Sequence, residues 1–169
     1  MENPLVNVSK RQFDSSFSML VELVDICPEH IWTKQEGAGP FWQLIFHATY
    51  WVDFWLRDAY DGSEFRSVVF DEGISFELKR EPTIHADLTK LQLQDYLIKI
   101  RAKTERIFAA LTDDLLQTPI IPGRYDFTYA DVIMGQIRHV MYHVGQCNLI
   151  LRNNESPAVK WLAHNEARQ

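Results

Sequence analysis

Two histidines, His139 and His143, stand four residues apart in a stretch of helical periodicity toward the C-terminal end of the chain. On an α-helix that spacing puts both imidazoles on one face, one turn apart, where both reach a single metal ion. Val140, Met141 and Tyr142 lie between them. No Glu follows His139, so this is not the H-E-x-x-H pattern of zinc proteases, whose Glu serves as general base. Spacing alone is weak evidence. Histidine pairs four apart occur by chance on many helices, where they are ordinary polar residues.

A third histidine changes the weighing. His47 sits in the most apolar segment, between Phe46 and Ala48, with Leu44 and Trp51 on adjoining turns. A lone histidine there is more often a core residue satisfied by a hydrogen bond. Helical bundles, however, build metal sites from side chains on facing helices. One buried histidine facing two others is the three-histidine arrangement of catalytic zinc sites, which leave a fourth position for water or substrate. Three neutral imidazoles leave a bound divalent ion its full charge, which lowers the pKa of a bound water or thiol by several units. Two chemistries follow: attack of an activated thiolate on an electrophile, or hydrolysis by an activated water. Against both stands a non-catalytic metal- or ligand-binding bundle, its metal closed by a loop carboxylate. Haem held by two histidines needs a large cavity, which the bulky aromatics around His47 argue against.

The neighbours have plainer readings beside the functional ones. Gln136 and Gln146 lie three residues from His139 and His143, placed to orient an imidazole or hold a water, or simply to be solvated at a helix edge. Tyr50, three after His47, either presents its hydroxyl to the cavity or packs as an aromatic; packing is the commoner role. Cys147 reads as a small core residue, and Gly145 as an aid to close helix packing. Asp71 and Glu72 lie in a long acidic loop that is either a lid or solvated. His30, His85 and His164 receive no role.

Four helical stretches must position these residues. The first runs from about Lys10 to Cys27, with Ser9 as N-cap, a face of Phe13, Phe17, Leu20, Val21 and Val24, and Pro28 as terminator. The second runs from about Pro40 to Ala59. Gly39-Pro40 reads as a cap followed by a first-turn proline. This helix is apolar nearly all round, which predicts burial on several sides, including by a second subunit. An irregular stretch from Tyr60 to Leu88 follows; loops of this length usually serve function or cover something. The third helix, from about Thr89 to Leu111, opens on the capping box Thr89–Gln92. The fourth, from about Tyr129 to Arg152, opens on Thr128–Asp131 in the same style. With no convincing strand, the prediction is an all-α four-helix bundle with a long crossover between helices 2 and 3, which allows those two to run parallel. Trp161 is the residue expected to dock the tail, residues 153–169.

The segment from Arg138 through His139, His143 and Gly145 to Gln146 resembles the His-x-x-x-His-x-Gly-Gln signature of the DinB/YfiT-like family of metalloenzymes. The run from Pro40 to His47 is similar to that family's aromatic second helix, which carries the first ligand. The likeness spans about Ser9 to Arg152. It implies a four-helix bundle, a site of His47, His139 and His143 for zinc, nickel or iron, and a homodimer. Relatives include transferases of low-molecular-weight thiols such as bacillithiol or mycothiol, and a thiol-dependent isomerase. By that likeness the thiol is a cosubstrate bound to the ion, and the other partner is a small apolar electrophile. Many relatives carry Arg after the last ligand, where this chain has Val144.

Chain-level properties agree. The 169 residues suffice for a single domain with its own core. Hydrophobic residues at 46% and charged ones at 24% exclude a disordered or fibrous chain. A net charge of −6 and the lack of any basic run argue against nucleic-acid partners. The stretch 41–56 is interrupted by Gln43, His47 and Asp53 and is shorter than the ~20 residues of a membrane span. Two cysteines, Cys27 and Cys147, and a polar start without a signal-peptide pattern lead to the expectation of a cytoplasmic protein.

Overall fold

The computed structural model describes residues 3–57, 60, 74–78, 86–121, 123 and 126–163. Among the described residues the regular elements are six helices and one small two-stranded hairpin. The order is α1 (Pro4–Ile26), α2 (Glu29–Trp32), β1 (Gln35–Glu36), β2 (Gly39–Pro40), α3 (Phe41–Trp55), α4 (Lys90–Ala110), α5 (Asp113–Leu116) and α6 (Tyr129–Asn153).

Local chemistry explains most boundaries. Thr89 and Gln92 exchange hydrogen bonds at the start of α4, as do Thr128 and Asp131 at the start of α6, so both predicted capping boxes form. Helix α1 ends at Cys27, in extended conformation before Pro28.

Other boundaries depart from the sequence expectation. Helix α1 starts at Pro4, and Ser9 is buried within it rather than capping it. Two amides of its first turn are satisfied from far away: Asp113 accepts from Leu5 N (3.2 Å) and Val6 N (3.0 Å). Gly39 and Pro40 form the second strand of a small antiparallel hairpin, so Pro40 precedes α3 rather than occupying its first turn. Helix α3 stops at Trp55, short of the expected Ala59, which lies outside the described residues.

The four long helices surround one buried apolar cluster. Their directions follow from paired residues. Along α3 and α4, Phe46 meets Tyr96 and Asp53 meets Lys103, so these helices run parallel, as the long crossover allows. Between α1 and α4, Lys10 meets Glu105 and Asp25 meets Gln94, an antiparallel order. Between α3 and α6, His47 meets His139 while Trp55 meets Phe127, again antiparallel.

The chain itself covers much of the apolar surface of α3, leaving Tyr50, Trp51, Phe54 and Trp55 half-buried. Phe41, Trp42, Leu44, Ile45, Phe46, Ala48 and Val52 are buried, and Tyr50, Trp51 and Trp55 pack on Phe76, Tyr60 and Phe127. The tail docks through Asn148, whose amide exchanges hydrogen bonds with the backbone of Val159 (2.9 and 3.2 Å). Trp161 does not serve this role; it is 69% exposed. Among the described residues, no helix is long and apolar enough to cross a membrane.

Candidate metal centre

Helix α3 presents His47 toward α6, and the turn spacing of α6 presents His139 and His143 back toward α3. The three rings point their Nε2 atoms at one place. His139 Nε2 lies 3.2 Å from His47 Nε2 and 3.1 Å from His143 Nε2. Ligand atoms sharing one ion through bonds of about 2.0–2.1 Å stand about 2.9–3.4 Å apart, from octahedral to tetrahedral geometry. The observed separations fall in that range.

Proton counting points the same way. The Phe76 carbonyl lies 2.6 Å from His47 Nδ1 and can only accept, so Nδ1 carries the proton and Nε2 offers a lone pair. A donor–acceptor contact from His139 to His47 then uses the single Nε2 proton of His139. That proton cannot also make a full hydrogen bond to His143. A cation accepting all three lone pairs satisfies every one of these contacts. The ligand atoms of His47, His139 and His143 all lie within 4.8 Å of one another.

Burial keeps the imidazoles neutral, the form that ligates. His143, only 3% exposed, has its pKa pushed down to about 3, by burial first and then by His139 and His47. His139 is lowered to about 4 by burial and by His47. His47 is lowered by burial, against the pull of the Phe76 carbonyl.

The other expected residues divide. Gln136 is buried and Gln146 half-buried; the Oε1 atom of each is buried without a hydrogen-bond partner among the described residues. His139 Nδ1 and His143 Nδ1 are in the same condition. Tyr50 is a packed aromatic, its ring centroid 4.1 Å from that of Phe76 and the two ring planes nearly parallel. Gly145 is exposed, and a Cβ there would meet nothing within 4 Å, so it does not serve close helix packing. Val144 is buried in the core. Cys147 is a buried free thiol, as is Cys27, and no disulfide joins them. His30 is exposed on α2. Asp71, Glu72, His85 and His164 lie outside the described residues.

Two residues near the site escape sequence reasoning, Gln43 and Phe76. In the sequence Gln43 is only a polar interruption of an apolar run. Its place one turn before His47 on the same face is the signal that finds it. No local pattern shows that Phe76 comes to His47.

A mostly helical chain whose facing helices α3 and α6 bring three imidazoles together carries a group of side chains that could hold a metal ion. A family model described as the DinB superfamily matches residues 12–147, and the chain belongs to that superfamily. No curated protein and no solved structure matches it.

Proposed function

We propose that this chain is a metal-dependent enzyme, with His47, His139 and His143 holding one divalent zinc, nickel or iron ion, that transfers a low-molecular-weight thiol onto a small electrophile. The observation that carries the metal reading is the convergence of the three Nε2 atoms, one of them fixed as a lone pair by the Phe76 carbonyl. A divalent ion held there supplies the charge that lowers the pKa of a bound thiol or water. The three histidines serve as neutral ligands and leave that charge undiminished. The unpartnered Nδ1 atoms of His139 and His143 call for acceptors once Nε2 donates to an ion. The Oε1 atoms of Gln136 and Gln146, one helical turn away on α6, are the chain's own candidates.

A cosubstrate thiol fits the chain better than one of its cysteines. Cys27 and Cys147 are both buried, and burial pushes the Cys27 thiol up to about 12 and that of Cys147 higher still. Neither forms a thiolate near neutral pH. Beside His47, the ring of Trp51 supplies an apolar wall suited to an uncharged electrophile.

Elemental analysis of the purified chain beside His47→Ala and His143→Ala tests the site. The expected result is about one transition-metal ion per parent chain and loss of it from both variants. A parent that takes up none when offered zinc, nickel or iron refutes the metal reading. With the ion bound, metal-dependent consumption of a low-molecular-weight thiol by an apolar electrophile supports the transferase. Hydrolysis without thiol consumption replaces it with a hydrolase, and no turnover with a non-catalytic metal-binding bundle.

A further inference from the structure

A neutral imidazole has one proton for two nitrogens. In His47 its location decides whether Nε2 offers a lone pair to the shared point or blocks it with a hydrogen. The Phe76 carbonyl decides this by accepting at Nδ1. Residues 74–78 belong to no helix or strand, so no backbone ladder holds that carbonyl in place.

Gln43 supplies the missing restraint. It is 2% exposed, lies one turn before His47 on α3, and donates its Nε2 hydrogens to the carbonyls on either side of Phe76: Ser75 O and Glu77 O, each at 3.0 Å. Both partners can only accept, so the amide nitrogen and not its oxygen must face them. Gly39 makes room on the other side, because a Cβ there would collide with Gln43 Oε1. The amide is thus seated between the hairpin and residues 75–77. Stacking of Phe76 on Tyr50 holds the same residue from its side chain.

We propose that Gln43 is a positioning residue: by gripping the carbonyls of Ser75 and Glu77 it aims the Phe76 carbonyl at His47 and so keeps the His47 proton on Nδ1 and its Nε2 free to ligate. The consequence for metal affinity rests on the three-histidine reading; the consequence for the proton does not.

Two variants of the full chain test it. Gln43→Leu removes both donors at similar volume, in apolar surroundings. Gly39→Ala keeps the amide but displaces it, at a position whose φ is not left-handed. Long-range proton–nitrogen spectra of the imidazoles, recorded without metal near neutral pH, report which ring nitrogen of His47 is protonated. The parent should show the Nδ1–H form, and both variants should shift His47 toward Nε2–H. Zinc titration should then show affinity about 10–100-fold weaker in the variants, the usual cost of losing a group that orients a ligand. A purely structural Gln43 would lower the melting temperature and leave the His47 tautomer unchanged, and that result overturns the proposal. If the parent takes up no zinc but the variants shift the tautomer, the positioning role stands and the metal reading falls. If the parent binds zinc and the tautomer does not move, the reverse holds.

Discussion

Replacing Lys103 with methionine should cost this fold far more than a surface substitution. Asp53 sits on α3 at 1% exposure, and a carboxylate so placed is tolerated only when paired and hydrogen-bonded. Lys103 Nζ on α4 donates to Asp53 Oδ1 (2.6 Å) and to the Asp53 backbone carbonyl (2.7 Å). Tyr96 donates its hydroxyl to Oδ2 (2.8 Å), and burial together with that carboxylate pushes the Tyr96 pKa up, so the proton stays on the phenol. Lys103→Met keeps the aliphatic stem and removes the charge, leaving a buried carboxylate without this counter-ion. Breaking a buried pair from one side costs about 3–5 kcal/mol. In a chain of this size each kcal/mol moves the melting temperature by about 2–4 °C, so the drop should be about 6–20 °C. Urea unfolding at constant m-value measures the same loss. Removing the whole polar cluster with Asp53→Leu, Tyr96→Phe and Lys103→Met should recover most of it, because apolar replacement of a buried pair is often neutral. A loss below about 1 kcal/mol for the single variant, the level of an exposed pair, would refute the argument that the pair is desolvated.

Asn148→Ala should destabilise by about 1–3 kcal/mol, since it strips partners from both backbone groups of Val159. It should also speed limited proteolysis after residue 154; an equally protected tail would show that Asn148 does not dock it. Both cysteines should resist alkylation in the native chain at mildly alkaline pH, because burial raises their pKa, to about 12 for Cys27. Unfolded thiols ionise near 8.5 while the folded ones stay protonated, so stability is full below that pH and falls as pH rises toward 12. Alkylation of the native chain as fast as of the denatured chain would contradict this.

Much of the site was legible in the sequence because its rules are local. A four-residue spacing on a helix brings His139 and His143 to one face whatever surrounds them, and Thr89 and Thr128 announce helix starts through partners three residues on. The apolar stripes required helices packed on a common core. The position of His47 in the most apolar helix placed it inward, though that alone did not distinguish a ligand from a core histidine.

Contacts between residues remote in the chain decided the rest. The start of α1 depends on Asp113, more than a hundred positions away, so the local cap at Ser9 was a false boundary. Gly39 and Pro40 read as a helix entry but pair with Gln35 and Glu36, because strand partners are fixed by register and not by residue type. Gly145 suggested close packing but faces open space, since only the rotation of α6 in the assembled core sets which side a residue takes. The Phe76 carbonyl on His47, from the crossover between α3 and α4, is of the same kind. A backbone acceptor carries no residue code, so sequence named the three histidines, while tertiary packing set which nitrogen of His47 meets the Phe76 carbonyl.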